Sequence, residues 1–482
     1  HRDLHSFPTR RSSDLKGLVL SEGGGLSTLS YMRLARNEKE TGVLALRAGL
    51  DVGISYENGY IMPMLESVKE GQVSMELIDR AVTRILEQKY RLGLFENPYV
   101  DPARAVKVTH TDDSRKLALE AAREGIVLLK NEKNILPLKK EIKSIAVIGP
   151  NADNEKNQLG DYTSKVVLQD IVTVLDGIKA KVGSKTIVKY ARGCDVIGEK
   201  NKDIAGATRI AKASDVAIVV LGENEWQAEG KLGTNGEGYD VASLDLTGSQ
   251  EELLKAVYET GTPTILVLIN GRPLSVRWAA EKIPAIVEAW IPGEMGGHAV
   301  ADILFGDCNP SGRLSITVPR HSGQLPSYYN YMPEKEHWIT EGWGKAYADM
   351  PATPLWEFGY GLGYTSFEYS NLQISPLSTG PYGEISISID IRNTGSREGK
   401  EVVQLYIHDL HASVTVPVKE LKGFRKIALK PGEKKTIQFK LTHDDLALYD
   451  QNMNREVEPG TFEVMAGSSS MDIRAKGTFE VK

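Results

Sequence analysis

The apolar residues of this chain change their periodicity once, and that change limits the architecture more than any other feature. Residues 144–148 (SIAVI), 216–221 (VAIVVL), 264–269 (TILVLI) and 284–289 (PAIVEA) are near-continuous apolar runs. Strands of this kind bury both faces, the condition of a parallel sheet covered by helices on each side. Helical stretches at 204–213, 250–259 and 297–305 fall between them, so the pattern predicts an open α/β sheet with helices on both faces. Loops at the carboxyl ends of such strands are where ligands sit. Beyond about Thr353 the runs give way to alternation of period two at 385–391, 402–407, 436–441 and 461–466. Turn signals such as Asn393-Thr394-Gly395 and Pro431-Gly432 separate them. Short strands with regular turns predict an immunoglobulin-like or fibronectin-like β-sandwich.

Ahead of the α/β segment, residues 16–20 (KGLVL) read as a buried strand ending at Ser21, Glu22 and three glycines. A helix is expected near 38–48 and a second strand at 50–54. A long helix follows, with Met75, Ile78, Val82, Ile85, Leu86 and Leu92 at helical spacing and Ser74 placed to cap it. Two β/α units cannot close a barrel, so this piece reads as the tail of a larger barrel or as a fragment that folds poorly alone. Residues 95–113 turn polar and proline-containing, as a linker would. The opening HRDLHSFPTRRSSDL has no initiator Met and no apolar signal-peptide core. Its part FPTRRSSDL resembles the translation of a sequencing adapter, although a disordered basic arm has the same composition. Native sequence is expected to begin near Lys16, with what preceded it, including any export signal, lost.

At 482 residues the chain has room for roughly three domains of about 150 residues each. Apolar residues at 41% and charged residues at 25% place it with globular proteins. A formal charge of −6, without a basic block after the first residues, argues against nucleic acid and anionic membranes as partners. Cys194 and Cys308 are the two cysteines, which excludes a disulfide framework and a CxxC metal site. Apolar runs break within about eight residues, short of a membrane span, so a soluble chain is expected.

Two regions could carry chemistry. Glu22 directly follows the KGLVL strand, and the carboxyl ends of parallel barrel strands present catalytic side chains. By position alone it serves equally well as a turn or helix cap. The second region is the loop after 216–221, GENEWQAEGKLGTNGEGYDVASLDLTG, with Glu223, Glu225, Glu229 and Glu237 and the aromatic Trp226. Glycines around Glu237 would let that loop swing its carboxyl group. Hydrolysis of a glycoside with retention needs two carboxyl groups roughly 5 Å apart, one as nucleophile and one as proton donor. Acidic surface loops are, however, usually only solvated. Gly359, Gly361 and Gly363 form a GxGxG run outside a strand-to-helix turn, and Gly23–Gly25 lack the Lys-Ser/Thr of a phosphate loop. His298, His408 and His411 have no carboxylate or Cys at metal spacing, so structural or surface roles are expected for them.

Seven segments, in this order, resemble glycoside hydrolase family 3 in its three-domain form. They are RAGLDVGIS, RILEQKYRLGLFENPYVDP, EGIVLLKNEKNILPL, VLINGRPLSV, IVEAWIPGEMGGHAVADILFGDCNPSGRLSITVPR, LWEFGYGLGYTSFEYSNL and VKELKGF. Each is weak alone, but their joint order is specific and runs from Lys16 to Lys482. The resemblance implies the C-terminal remnant of a (β/α)8 barrel, then an αβα sandwich with a mostly parallel sheet, then a fibronectin type III-like β-sandwich. The corresponding division is 1–15 adapter-derived, 16–95 last β/α units of the barrel, 96–115 linker, 116–350 αβα sandwich, 351–383 connecting segment and 384–482 fibronectin-like domain.

The resemblance also implies a retaining double displacement without metal or organic cofactor. The family's nucleophile is an Asp in a Ser-Asp-aromatic motif after the seventh barrel strand, and Ser21-Glu22-Gly23 stands there. Glu in place of Asp moves the carboxylate by roughly 1 Å, a misplacement that can cost about a hundredfold in rate. Either the glycine-rich turn is reset for Glu22 or this subgroup is catalytically altered. The family's acid/base is a Glu in a Glu-Gly-x-Asp-Arg-type stretch, which Glu237-Gly238-Tyr239-Asp240 fits, with Val241 where Arg is common. Its carboxyl is expected to hold its proton more firmly when the site is closed. Trp226 and Tyr56 lie on loops suited to sugar binding, although Tyr56 suits core packing equally. The barrel residues that would grip the non-reducing sugar are absent, so the fragment alone is expected to turn over little substrate.

The implied substrate is an oligosaccharide or an aryl or alkyl glycoside, cleaved by an exo-acting β-glucosidase. β-Xylosidase, α-arabinofuranosidase and β-N-acetylglucosaminidase belong to the same family and stay open, as does a non-catalytic carbohydrate-binding paralogue. The resemblance favours a periplasmic or secreted location, and a homodimer is compatible with it.

Overall fold

The computed structural model describes residues 17–54, 58–164, 166–225, 233–333 and 347–482, and the chain divides into two compact units, His1–Thr109 and His110–Lys482. The expectations for residues 1–15, Tyr56, Trp226 and Glu229 lie outside the described residues.

The first unit holds helices α1 (Ser27–Tyr31), α2 (Glu38–Arg47), α3 (Met62–Lys69), α4 (Met75–Arg91) and α5 (Pro102–Val108). Asn37 caps α2 by accepting from the backbone N–H of Glu40 at 3.0 Å. Val43 and Leu46 of α2 then pack with Met64, Val73 and Ala81 in a small core. The two expected strands shrink to one parallel bridge, Leu20 to Val52. Among the described residues these two short parallel segments have no further strand beside them, and such a pair gains too little to extend a ladder. Ser74 occupies the position before α4 with an extended backbone, but its hydroxyl makes no capping bond. The stretch expected as a linker contains α5, capped by Asp101, and the start of the next helix. Helix α4 buries Ala81, whereas Met75, Val82 and Leu86 of its apolar stripe are exposed.

The second unit opens with α6 (Asp112–Gly125) and continues through β1 (Val127–Asn131), β2 (Ser144–Ile148), α7 (Val174–Val182), β3 (Ile187–Ala191), α8 (Ile204–Lys212) and β4 (Val216–Gly222). Helix α9 (Gln250–Tyr258), β5 (Thr264–Ile269), α10 (Arg277–Lys282), β6 (Ala285–Glu288) and α11 (Gly296–Phe305) complete the α/β part. Its sheet runs β1-β6-β5-β4-β2-β3, parallel except for β1, which pairs antiparallel with β6. Successive residues of β4 face opposite cores: Ile218 and Val220 join one, Val219 and Leu221 the other. The first core is roofed by α7 and α11 and the second by α8, α9 and α10, which is why the central runs carry no polar face. The four strands read from the apolar runs are all present. Strands β1 and β3 were not anticipated, and β3 escapes because as an edge strand it is half-exposed and carries Lys189 and Tyr190.

From Phe367 onward the elements among the described residues are β strands apart from one short helix. Strands β7 (Phe367–Ser375), β8 (Ser378–Thr379), β9 (Ile385–Asn393), β10 (Gly399–Asp409), β11 (Glu420–Leu429) and β12 (Lys434–Leu441) are followed by α12 (His443–Leu446). Then come β13 (Leu448–Tyr449), β14 (Arg455–Glu456), β15 (Gly460–Gly467) and β16 (Ile473–Val481). They form sheets β11-β10-β15-β16-β8 and β12-β9-β7, with β13 and β14 as a separate pair. Ile385, Ile387, Ile389 and Ile391 alternate along β9 to meet Val403, Leu405, Phe462 and Val464. Pairing begins at β7, inside the expected connecting segment, because Phe367 to Ser375 complete the edge of the smaller sheet. Buried Glu401 of β10 binds Arg313 of the α/β part at 2.9 Å and the Tyr369 hydroxyl at 2.6 Å, which ties the sandwich to its neighbour.

Candidate active site

In the first unit, Ser21 fixes the backbone at Glu22. Its N–H donates to the Val52 carbonyl at 2.9 Å, and its hydroxyl accepts from the Ile54 N–H at 2.9 Å. The Glu22 carbonyl then accepts from Gly25 N–H at 2.9 Å, so the chain turns at once and leaves the Glu22 side chain exposed. Helix α1 receives no side-chain cap, since Leu26 holds the capping position. Beneath this turn lies Asp51, with no side-chain exposure. It accepts from Val19 N–H at 3.0 Å and pairs with Arg84 of α4 at 3.0 Å and Arg80 at 3.5 Å. The strand end that presents Glu22 is thereby pinned to α4. Removing one partner of a buried ion pair leaves the other charges uncompensated, so Asp51→Ala should destabilise this unit by about 3 kcal/mol. Urea unfolding followed by hydrogen exchange of the 19–52 amides measures it, and unchanged protection would contradict it.

In the second unit, polar residues gather at the carboxyl ends of β2, β4, β5 and β6. Directly after β4, Glu223, Asn224 and Glu225 are all buried. The loop they open is closed at its base where the Thr234 and Asn235 N–H groups donate to the Asn224 carbonyl at 3.0 and 3.1 Å. Glu237 follows between Gly236 and Gly238, whose φ values of 109° and 78° lie where a side chain is strained. The sharp turn they allow leaves Glu237 exposed. It is nevertheless held, because its N–H donates to the Asp161 carboxylate at 2.6 Å and its own carboxylate accepts from the Tyr162 hydroxyl. Asp161 and Tyr162 belong to the loop after β2. The sequence reading missed them, although a loop leaving the same sheet edge was the place to look.

Glu223 accepts from the N–H groups of Gly271 and Arg272 at 2.9 and 3.2 Å and pairs with the Arg272 Nε at 3.2 Å. Burial raises the Glu223 pKa above the ordinary carboxyl value, against the opposing pull of Arg272 and the two N–H donors. Glu288, at the end of β6, is 3% exposed and accepts from Trp290 N–H at 2.9 Å and Asn270 Nδ2 at 3.2 Å. Burial pushes its pKa from 4.5 up to about 8. A charged residue closing an otherwise apolar run, IVE, was the signal for it.

A carboxyl with a raised folded-state pKa holds its proton more tightly in the folded chain than in the unfolded one. Its contribution to stability is therefore complete below pH 4.5 and is lost as the pH rises towards 8. Glu288→Gln should reduce the fall in unfolding free energy between those limits by something on the order of a few kcal/mol. Urea titrations near the two limits test this, and an unchanged pH dependence would mean that Glu288 ionises freely in the fold.

Among the described residues no three His, Cys, Asp or Glu side chains are grouped to hold a metal ion. His298 lies in α11, where burial lowers its imidazole pKa, while His408 lies in β10 one residue before its end and His411 follows the strand. No helix among the described residues is long and apolar enough to cross a membrane.

Known proteins place this arrangement in a family. Residues 126–364 match the model of the glycosyl hydrolase family 3 C-terminal domain, and residues 401–470 match a fibronectin type III-like domain. A β-xylosidase of Formosa agariphila is 40% identical, aligned over 98% of this chain and 67% of its own length. A periplasmic β-glucosidase of Salmonella typhimurium is 37% identical over 97% of this chain and 63% of its own. The crystal structure of a Listeria innocua β-glucosidase in complex with isofagomine superposes with a TM-score of 0.88 at 34% identity, covering 97% of this chain and 64% of that one. The chain spans 60% to 67% of the length of three curated relatives that it matches. With 40% identity carried across nearly all of its residues and two matched domains in the family's order, the chain belongs to glycosyl hydrolase family 3.

Proposed function

We propose that the protein carrying this chain is a retaining, exo-acting β-glycosidase that removes terminal β-D-glucosyl or related residues from oligosaccharides or simple glycosides. Glu22 is its nucleophile and Glu237 its acid/base. The carboxylate of Glu22 attacks the anomeric carbon while Glu237 passes its proton to the departing oxygen. Water then gives a proton to Glu237 and displaces Glu22, which releases the sugar with its configuration retained. The observation that carries this reading is the hold on Glu237, a carboxyl group exposed on a glycine-flanked turn yet fixed through both its backbone and its side chain.

Residues 16–95 are read as the last β/α units of a TIM-type barrel, supported by the parallel Leu20 to Val52 bridge and by the exposed apolar stripe of α4, which an outer barrel helix would bury. Residues 116–350 and 384–482 are read as the αβα and fibronectin-like domains. The relatives' names support β-glucosidase or β-xylosidase activity, and the Salmonella enzyme's name supports a periplasmic or secreted location. A carbohydrate-binding paralogue without turnover remains the second reading, motivated by Glu22 where the family carries Asp.

Proton NMR of the first product formed from an aryl β-glycoside by the full-length protein tests the reaction class. The β-anomer should appear before mutarotation. Initial release of the α-anomer would exclude a double displacement.

A further inference from the structure

We infer that Arg272 is a positioning residue for the acid/base carboxyl: anchored by buried Glu223, it holds the Tyr239 carbonyl and so sets where Glu237 stands. This rests on the reading of Glu237 as acid/base and adds the device that places it.

The loop around Glu237 is fastened upstream where Thr234 and Asn235 bind the Asn224 carbonyl. Downstream the fastening is the Arg272 Nη2, which donates to the Tyr239 carbonyl at 3.0 Å, two residues beyond Glu237. Arg272 can serve as a fixed strut because its own guanidinium is oriented. Its Nε meets Glu223 Oε1 at 3.2 Å, while Glu223 Oε2 takes the N–H groups of Gly271 and Arg272. One buried carboxylate therefore sets both the side chain and the backbone turn after β5. The planar guanidinium bridges carboxylate and carbonyl with two different nitrogens, which a lysine ammonium cannot reproduce in the same geometry. Gly271 adds a second brace: a Cβ there would stand 2.5 Å from the Asn235 side chain, so Asn235 is seated directly over the Gly271 backbone. Asn235 and Tyr239, which flank Glu237, thus both rest on the 271–272 turn. General acid catalysis falls steeply when the donor is displaced, with about a hundredfold lost for an ångström.

The test compares Arg272→Met, Arg272→Lys and Glu237→Gln in the full-length protein on two aryl β-D-glycosides. The 2,4-dinitrophenyl glycoside leaves without a proton, whereas the phenyl glycoside needs one. Arg272→Met should lower kcat/KM for the phenyl glycoside by about 10- to 100-fold and keep that for the dinitrophenyl glycoside within roughly threefold, with kcat and KM for the latter falling together because the displaced carboxylate is also the base for breakdown of the intermediate. Arg272→Lys should recover part of the loss, and it supplies the same comparison should the Met variant fail to fold. Equal losses on both substrates, or none, with Glu237→Gln still selective, would overturn the role of Arg272 alone. A Glu237→Gln protein that does not distinguish the two substrates would overturn the acid/base assignment and the inference with it.

Discussion

Glu237→Gln is expected to lower kcat/KM for glycosides with poor leaving groups by roughly 10² to 10⁴-fold, the range that a positioned general acid contributes. The amide keeps the shape of the side chain and can still accept from Tyr162, but it has no proton to give. A dinitrophenolate departs without help, so formation of the glycosyl intermediate from its glycoside should be nearly unaffected. Breakdown of that intermediate still lacks a base, and kcat and KM should therefore fall together. Azide needs no deprotonation and should restore turnover with formation of a glycosyl azide. Parallel losses on both substrates, with no azide effect, would place the acid/base elsewhere. Asp161, whose carboxylate accepts from the Glu237 N–H, is then the first alternative, since Glu223 and Glu288 on the same sheet edge are buried.

Two replacements at Glu22 carry the second large effect. Glu22→Gln removes the attacking oxygen's charge and should reduce turnover by on the order of 10⁴-fold or more. Glu22→Asp restores the residue that the family carries but withdraws the carboxylate by roughly 1 Å. If the turn from Ser21 to Gly25 is set for the longer side chain, Asp should be about a hundredfold slower than Glu. A faster Asp variant would mean that the turn kept the family's geometry and that Glu22 impairs the native enzyme. The kcat ratio of the two proteins on a single aryl glycoside decides between these outcomes.

The α/β architecture was legible wherever burial is two-sided, because runs such as VAIVVL and TILVLI admit no exposed face. Strand β3 was not, since an edge strand carrying Lys189 and Tyr190 has no such run. The pair 16–20 and 50–54 was overread: apolar runs mark strand propensity, but a ladder needs neighbours, and the described structure supplies one bridge. The positions of Glu22 and Glu237 could be read because glycines and strand ends announce turns. Asp161, Tyr162 and Arg272 could not, because their partners lie 76, 75 and 33 residues away in the chain and meet only once the sheet brings its loops together. Arg272 stood inside the VLINGRPLSV segment without a role, and only its guanidinium contacts give it one.

The most direct measurement is covalent trapping of the full-length protein with a 2-deoxy-2-fluoro glycoside bearing an activated leaving group, followed by peptide mass mapping. Fluorine slows breakdown of the intermediate more than its formation, so a retaining enzyme accumulates the labelled ester. The sugar should be found on the peptide that contains Ser21-Glu22-Gly23, attached to Glu22. A label on any other carboxylate, or active enzyme that never takes up the label, would contradict the assignment of Glu22 as nucleophile.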